Sequence, residues 1–85
     1  MVEKKLIGKI IHFYPKISVV VVELENSLKV GDKISIERES GSFEQVVESM
    51  QIEHENIQEA KAGDAIGLKV EQNTREGAKV FKLIE

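Results

Sequence analysis

The chain has 85 residues, of which 41% are hydrophobic and 32% are charged, and its net charge at pH 7 is −3. This length fits a single domain over residues 1–85, and the composition is typical of a folded protein and unlike that of a disordered one. The absence of cysteine excludes a disulfide scaffold and a thiolate zinc site. The longest apolar run, residues 17–22, is far shorter than the roughly 20 residues of a membrane-spanning helix. Residues 1–5 do not resemble a signal peptide, so we expect a cytoplasmic protein that does not contact a membrane.

Glycine, proline and asparagine divide the chain into six segments with the character of β-strands. Residues 6–14 are rich in isoleucine and aromatic residues, and residues 17–25 contain four consecutive valines, which sheets accept and helices disfavour. The remaining four segments are residues 33–37, 43–54, 65–71 and 78–84. No window keeps the apolar spacing of an amphipathic helix, and no internal repeat is evident. Six strands separated by turns predict an all-β fold, and we expect a closed or nearly closed barrel.

Three glycines and one change of parity make finer predictions. Gly31 and Gly63 each precede an aspartate in a turn, and we expect a positive φ at both. Gly67 lies inside a strand, where we expect a bulge or a close backbone approach. In the fourth segment the inward parity changes between Val47 and Met50, which predicts either a bulge or a crossing between sheets.

The second segment is apolar on both of its faces. Its side chains alternate between two sets: Ile17, Val19 and Val21 on one face, and Val20, Val22 and Leu24 on the other. A closed barrel buries only one face, so the other face is either covered by a loop or a terminal strand, or offered to a partner. On the second interpretation, Ile17, Val19 and Val21 form a docking surface.

Charge is distributed unevenly along the chain. Residues 1–36 have a net charge of +2, residues 37–64 of −6 and residues 65–85 of +1. Fields of this kind steer partners without identifying them.

The sequence lacks the motifs of common catalytic and cofactor sites. Neither a P-loop nor a dinucleotide-binding fingerprint is present. The two histidines, His12 and His54, lie on separate predicted strands, whereas a zinc site needs three or four converging ligands. No serine has a visible histidine and acid arrangement. We therefore expect a non-enzymatic protein with no catalytic residue, metal, nucleotide or other cofactor.

Four blocks of sequence together resemble the second domain of translational GTPases such as elongation factor Tu. They are residues 28–36, 47–54, 57–70 and 75–80, so the resemblance covers nearly the whole chain. The same blocks are similar to small stand-alone proteins of the elongation-factor type and to the C-terminal domain of collagenase-like peptidases. The resemblance implies a six-stranded Greek-key β-barrel of the translation-protein type.

The resemblance also implies a function in translation and two site residues. In elongation factor Tu this domain helps to hold the aminoacylated end of tRNA, and in other members it meets ribosomal RNA or protein. Glu59 stands where the family glutamate lines the pocket for the terminal adenosine, and Lys61 stands near a basic position of the family. Residues 13–20 differ from the glycine- and threonine-rich first hairpin of those factors. The GTPase domain is missing.

The first of two predicted functions is therefore a translation-factor-like module that binds RNA, either a tRNA end or the ribosome. Its predicted contacts are Glu59 and Lys61, together with a basic face formed by Lys9, Lys16 and Lys69. The net negative charge opposes non-specific binding to phosphates. A single-stranded RNA end can nevertheless be held by stacking and base-edge hydrogen bonds, which need few charges.

The second predicted function is a protein-interaction domain. On this interpretation the apolar N-terminal hairpin, through Ile17, Val19 and Val21, docks a larger protein such as a peptidase-like enzyme or a GTPase. A basic concave face favours RNA, whereas a flat exposed face of isoleucine and valine favours a protein partner.

Overall fold

A computed structural model describes residues 3–39, 41–53, 55–72 and 74–84 of the chain. Within these residues the protein consists of ten β-strands and has no helix, which confirms the prediction of an all-β fold. The strands are β1 (Glu3–Tyr14), β2 (Val19–Leu24), β3 (Leu28–Lys29), β4 (Lys33–Arg38), β5 (Gly41–Val46), β6 (Met50–Ile52), β7 (Glu55–Ile57), β8 (Glu59–Ala60), β9 (Ala65–Lys69) and β10 (Lys79–Ile84). In this part of the chain there is no helix of the length and apolarity needed to cross a membrane.

Eight of the strands form one antiparallel sheet in the order β5-β4-β10-β1-β2-β9-β6-β7, and β3 pairs with β8 in a small second sheet. Among the described residues the two ends of the large sheet, β5 and β7, are not paired with each other. The predicted closed barrel of six strands is therefore wrong. The physical reason lies in the predicted strand 43–54, which is broken into β5 and β6 at residues 47–49. This break carries the chain from β5, at one end of the sheet, to β6, next to the strand at the other end. The change of parity therefore arises because one strand ends and another begins in the same sheet, and the predicted crossing between sheets is not found.

A buried side chain links β5 to the backbone at the end of β9. Gln45 on β5 is 6% exposed. Its Nε2 donates to the carbonyl oxygen of Lys69 at 2.8 Å, and its Oε1 accepts from the backbone N–H of Glu71 at 2.9 Å. The amide of Gln45 thus provides the donor and the acceptor that a neighbouring strand would otherwise provide to these backbone groups.

One hydrophobic core lies against the inner side of the strands. The predicted inward face of the second segment is confirmed, because Val20, Val22 and Leu24 are buried. The other members of the core are Ile7, Ile10, Leu28, Ile34, Ile36, Val47, Met50, Ala60, Ile66, Leu68, Val70, Ala78 and Val80.

Strand β1 contains two irregularities in register. Opposite β10 the register shifts at Ile7, and opposite β2 it shifts at Ile11. At the first shift the carbonyl oxygen of Ile7 accepts a hydrogen bond of 2.6 Å from the backbone N–H of Glu25, just after the end of β2. These bulges interrupt the simple alternation of side chains that the sequence pattern assumes.

The close backbone approach predicted at Gly67 occurs instead at Gly8. A Cβ atom on Gly8 would lie 2.4 Å from the carbonyl oxygen of Glu23, whereas a Cβ on Gly67 would have no neighbour nearer than 3.7 Å. The prediction for Gly67 is wrong because β2 crosses close to β1 at Gly8, while β9 meets its neighbours at ordinary distances.

Two turns with the sequence Lys-X-Gly-Asp, at residues 29–32 and 61–64, share one construction. In the first turn the backbone N–H of Lys29 donates to Oδ2 of Asp32 at 2.9 Å, and the backbone N–H of Asp32 donates to the carbonyl of Lys29 at 3.1 Å. The φ of Gly31 is 98°, which confirms the positive value predicted there.

The second turn repeats these contacts. The distances from Lys61 N to Asp64 Oδ2 and from Asp64 N to Lys61 O are 3.0 and 3.1 Å, and the φ of Gly63 is 94°. Each turn follows one strand of the β3–β8 pair and leads into a long strand, β4 or β9. The two turns are therefore built in the same way and occupy equivalent places between a short strand and the strand that follows it.

Candidate functional site

The outer apolar face predicted from the second segment is present. Ile17 is 62% exposed, and Val19 and Val21 are partly exposed on the side of β2 that faces away from the core. All three line one shallow groove on the outer surface of β2, β9 and β6. We call this surface the outer groove, and its lining residues are Tyr14, Ile17, Val19, Val21, Gln51, Glu53, Ala65, Ile66 and Gly67.

A tight turn between β1 and β2 places Ile17 at one end of the outer groove. The backbone N–H of Ile17 donates to the carbonyl of Tyr14 at 3.3 Å, and Pro15 supplies the fixed φ that suits the second position of such a turn. Ser18 follows with a φ of 54°, and its carbonyl accepts a hydrogen bond of 2.8 Å from Val70. The turn therefore holds Ile17 outward while its backbone stays anchored to the sheet.

The floor of the outer groove is formed where side chains are small. Gly67 lies opposite Val21 on one side and opposite Gln51 on the other. Because Gly67 has no side chain and Ala65 has only a methyl group, the surface is recessed between the larger neighbours. Gly67 is therefore not a point of close backbone approach, as predicted, but part of the recessed surface of the outer groove.

The far end of the outer groove is acidic. Glu53 follows β6 in a turn with a φ of 51°, and it is the one charged residue among those that line the groove. Sequence reasoning missed six members of this surface, which are Tyr14, Gln51, Glu53, Ala65, Ile66 and Gly67. Parity marks which residues point outward, but the pairing of β2 with β9 and of β9 with β6 decides which outward residues become neighbours.

The basic residues predicted to contact RNA do not form one face. Lys9 lies on β1 opposite Glu23, whereas Lys69 lies on β9 opposite Val19, four residues further along β2. This separation corresponds to about 13 Å along the strand. Lys9 and Lys69 are therefore at different ends of the outer surface.

The other predicted RNA contacts lie on two further parts of the fold. Lys16 lies in the exposed turn between β1 and β2, and Glu59 lies on β8, opposite Lys29 in the small sheet. Lys61 is exposed and begins the second Lys-X-Gly-Asp turn, where its backbone N–H is bonded to Asp64. Glu59 on β8 and Lys61 in the turn that follows are two residues apart, whereas Lys16 belongs to the turn between β1 and β2.

The histidines provide no evidence for a metal site. Nδ1 of His12 lies 3.2 Å from Oε2 of Glu76, and the His12 ring stacks edge-on against Tyr14 with centroids 4.3 Å apart. His54 lies outside the described residues. No group of three or more potential metal ligands occurs in the described part of the chain.

Comparison with known proteins connects the chain with peptidases. It is 44% identical over 80 residues to an uncharacterized protease of Methanocaldococcus jannaschii; the match covers 93% of this chain and 20% of the protease. The chain thus spans about one fifth of the length of this relative. No protein-family model matches the sequence.

Two solved structures of the C-terminal domain of a putative U32 peptidase from Geobacillus thermoleovorans have the same fold. One matches with a TM-score of 0.86 and covers 92% of this chain and 91% of the solved domain. The other, a selenomethionine variant, matches with a TM-score of 0.84 and covers 89% and 96%. Sequence identity is 18% in both cases. The chain therefore has the fold of this C-terminal domain, and what it matches in these structures is not a catalytic domain.

These findings correct the expected role in translation. The assignment as a translation elongation factor-like, RNA-binding protein of protein biosynthesis is wrong, because the sequence relative is a protease and the solved structures that share the fold are those of the C-terminal domain of a peptidase. They agree with the second resemblance seen in the sequence, to the C-terminal domain of collagenase-like peptidases.

Proposed function

We propose that this domain is a non-catalytic docking module of peptidase-like proteins, whose outer groove packs against the rest of such a protein. The observation that carries the proposal is the 44% identity of nearly the whole chain to one fifth of the M. jannaschii protease. In that protein the equivalent segment is joined to the other four fifths of the chain. A docking surface on this segment therefore has a peptidase-like neighbour within reach.

The character of the outer groove supports this proposal. Tyr14 is 46% exposed and Ile17 is 62% exposed, and both border a recessed apolar floor. Tyrosine and large aliphatic side chains around a recess are typical of the anchor points of protein interfaces. Exposed apolar residues that are grouped in this way indicate an interaction site, whereas exposed apolar residues that are scattered singly do not.

The test uses the M. jannaschii protease from which the matching 80 residues have been removed. This protein is titrated with the present domain by isothermal titration calorimetry, and we expect saturable binding of one domain. Val21→Lys introduces a charge into the apolar contact and should weaken binding by at least about tenfold. Val46→Lys is the matched control, because Val46 is 48% exposed on β5 and does not line the outer groove.

Circular dichroism first establishes that the shortened protease and both variants are folded. The control variant should bind within about twofold of the wild type, as expected for a surface change outside the contact. Equal binding by Val21→Lys and the wild type would contradict the proposal, as would the absence of binding to the folded shortened protease.

A further inference from the structure

We infer that the outer groove recognises an apolar side chain that is followed by a lysine or arginine, with the cation facing Glu53. The inference deepens the proposed function by specifying the chemistry of the docked segment, and it rests on that proposal only for the identity of the partner. It is carried by the charge at one end of the groove and by the backbone of the two turns that border it.

The charge of the lining residues has one sign. Glu53 is charged and the other lining residues are neutral, and among the described residues Glu53 takes part in no ion pair. The neighbouring acid, Glu23, lies opposite Ala65 on one side and opposite Lys9 on the other, and it does not line the outer groove. Glu53 is therefore the acid that a segment seated in the groove would meet directly.

The opposite end of the outer groove carries positive charge. Lys69 lies directly opposite Val19, and Lys16 belongs to the turn that holds Ile17. A cation on the docked segment is therefore favoured at the Glu53 end and disfavoured at the Val19 end. This polarity gives the docked segment a direction.

The backbone at both ends is held in an uncommon conformation. Ser18 and Glu53 are the non-glycine residues with positive φ in the described chain, with values of 54° and 51°. Ser18 lies between the lining residues Ile17 and Val19, and Glu53 is itself a lining residue. Conformations of this kind are costly for residues with a side chain and concentrate at functional sites. Their location supports the assignment of the groove as a recognition surface with defined ends.

The experiment does not depend on the protease. N-acetyl-leucyl-lysine amide and N-acetyl-leucyl-glutamate amide are titrated separately into the isotopically labelled domain, and backbone amide resonances are followed by NMR. We expect the resonances of Val21 and Gly67 to shift with the lysine peptide, and its affinity to be at least about threefold higher than that of the glutamate peptide. This preference should disappear in Glu53→Gln and in about 0.5 M salt, because the charge pair is then removed or screened.

Glu3→Gln is the matched control, since Glu3 is an exposed glutamate on β1 that does not line the outer groove. This variant should keep the wild-type preference. Equal affinity for the two peptides, an unchanged preference in Glu53→Gln, or no shift at Val21 and Gly67 with either peptide would each overturn the inference. If the preference is found but the shortened protease does not bind, the proposed partner is wrong and the recognition chemistry stands. If the shortened protease binds but the domain does not prefer the lysine peptide, the proposed partner stands and the recognition chemistry is wrong.

Discussion

Of the glycines in the described chain, Gly8 has the least room for a side chain. A methyl group on it would approach the backbone carbonyl oxygen of Glu23 to 2.4 Å and Cγ1 of Val22 to 3.0 Å. The first of these neighbours is a backbone atom inside a paired strand, so it cannot move without disturbing the pairing of β1 with β2. The glycine is therefore required by packing between two strands.

We predict that Gly8→Ala lowers the free energy of unfolding by about 1–3 kcal/mol, the usual cost of overpacking. Urea denaturation followed by circular dichroism measures this change. Gly67→Ala is the matched control, because its added Cβ would have no neighbour nearer than 3.7 Å. Equal denaturation midpoints for the two variants would show that the crossing of β1 and β2 can relax around an added methyl group.

Glu37 is the residue whose titration is most clearly linked to folding. Nζ of Lys4 donates to Oε2 of Glu37 at 2.5 Å, and Oγ of Ser35 donates to the same oxygen at 3.1 Å. The hydrogen bond from Lys4 is the largest cause that lowers the pKa of Glu37. The hydrogen bond from Ser35 and the charge of Lys4 act in the same direction, while partial burial opposes them.

Because the pKa of Glu37 is lowered in the folded state, its contacts stabilise the protein at pH values above the pKa of an unfolded glutamate, about 4.3. This stabilisation is lost as the pH falls through the pKa of the folded state. We predict that Glu37→Gln is less stable than the wild type at pH 7 by less than about 1 kcal/mol, because the pair is partly exposed. The difference should vanish in acid. Thermal unfolding from pH 7 downward measures it, and Lys4→Gln should show the same loss. A constant difference at every pH would contradict this linkage.

At the scale of the elements, the joint between β5 and the end of β9 rests on one side chain. The amide of Gln45 both donates to Lys69 and accepts from Glu71. A carboxylate in its place could accept but not donate. It would set a buried negative charge against the carbonyl oxygen of Lys69.

We predict that Gln45→Glu destabilises the protein at pH 7 by about 1–3 kcal/mol or more. Burial raises the pKa of the introduced carboxyl group, and the protonated form can donate again, so part of the loss should be recovered as the pH falls. Chemical denaturation at pH 7 and pH 5 measures both effects. The control is Gln51→Glu, because Gln51 is exposed and bonds only the side chain of Asn56 among the described residues. Similar losses for both variants would contradict the role given to Gln45.

The sequence could predict the long strands because their local pattern is strong. The four valines of β2 and the alternation of Ile34 and Ile36 identified strands and their inward faces, which are confirmed. The strands β3, β7 and β8 were missed, since each has only two or three residues and depends on a distant partner for its pairing. The two Lys-X-Gly-Asp turns were recognised from the sequence, but the hydrogen bonds that they share are seen only in the structure.

At the scale of the whole molecule, the candidate site was only half predictable. The outward set Ile17, Val19 and Val21 followed from parity within one strand, and the structure places all three on the outer groove. Glu53 and Gly67 could not be added from the sequence, because they reach this surface through the pairing of β2 with β9 and of β9 with β6. Local pattern determines which way a side chain points, and the order of strands in the sheet determines its neighbours.

The pairing of β1 with β10 has a mechanical consequence. The two strands are antiparallel neighbours at the middle of the large sheet, and Glu3 lies opposite Ile84. A pulling force applied to these two residues would load the ladder at one end, so its hydrogen bonds would break in succession, as in a zipper, instead of sharing the load in shear. The first bonds to break would be those between β1 and β10, while Gln45 would still join β5 to the end of β9. All the strands that build the outer groove lie on the β1 side of this ladder, so these first breaks would occur outside the groove.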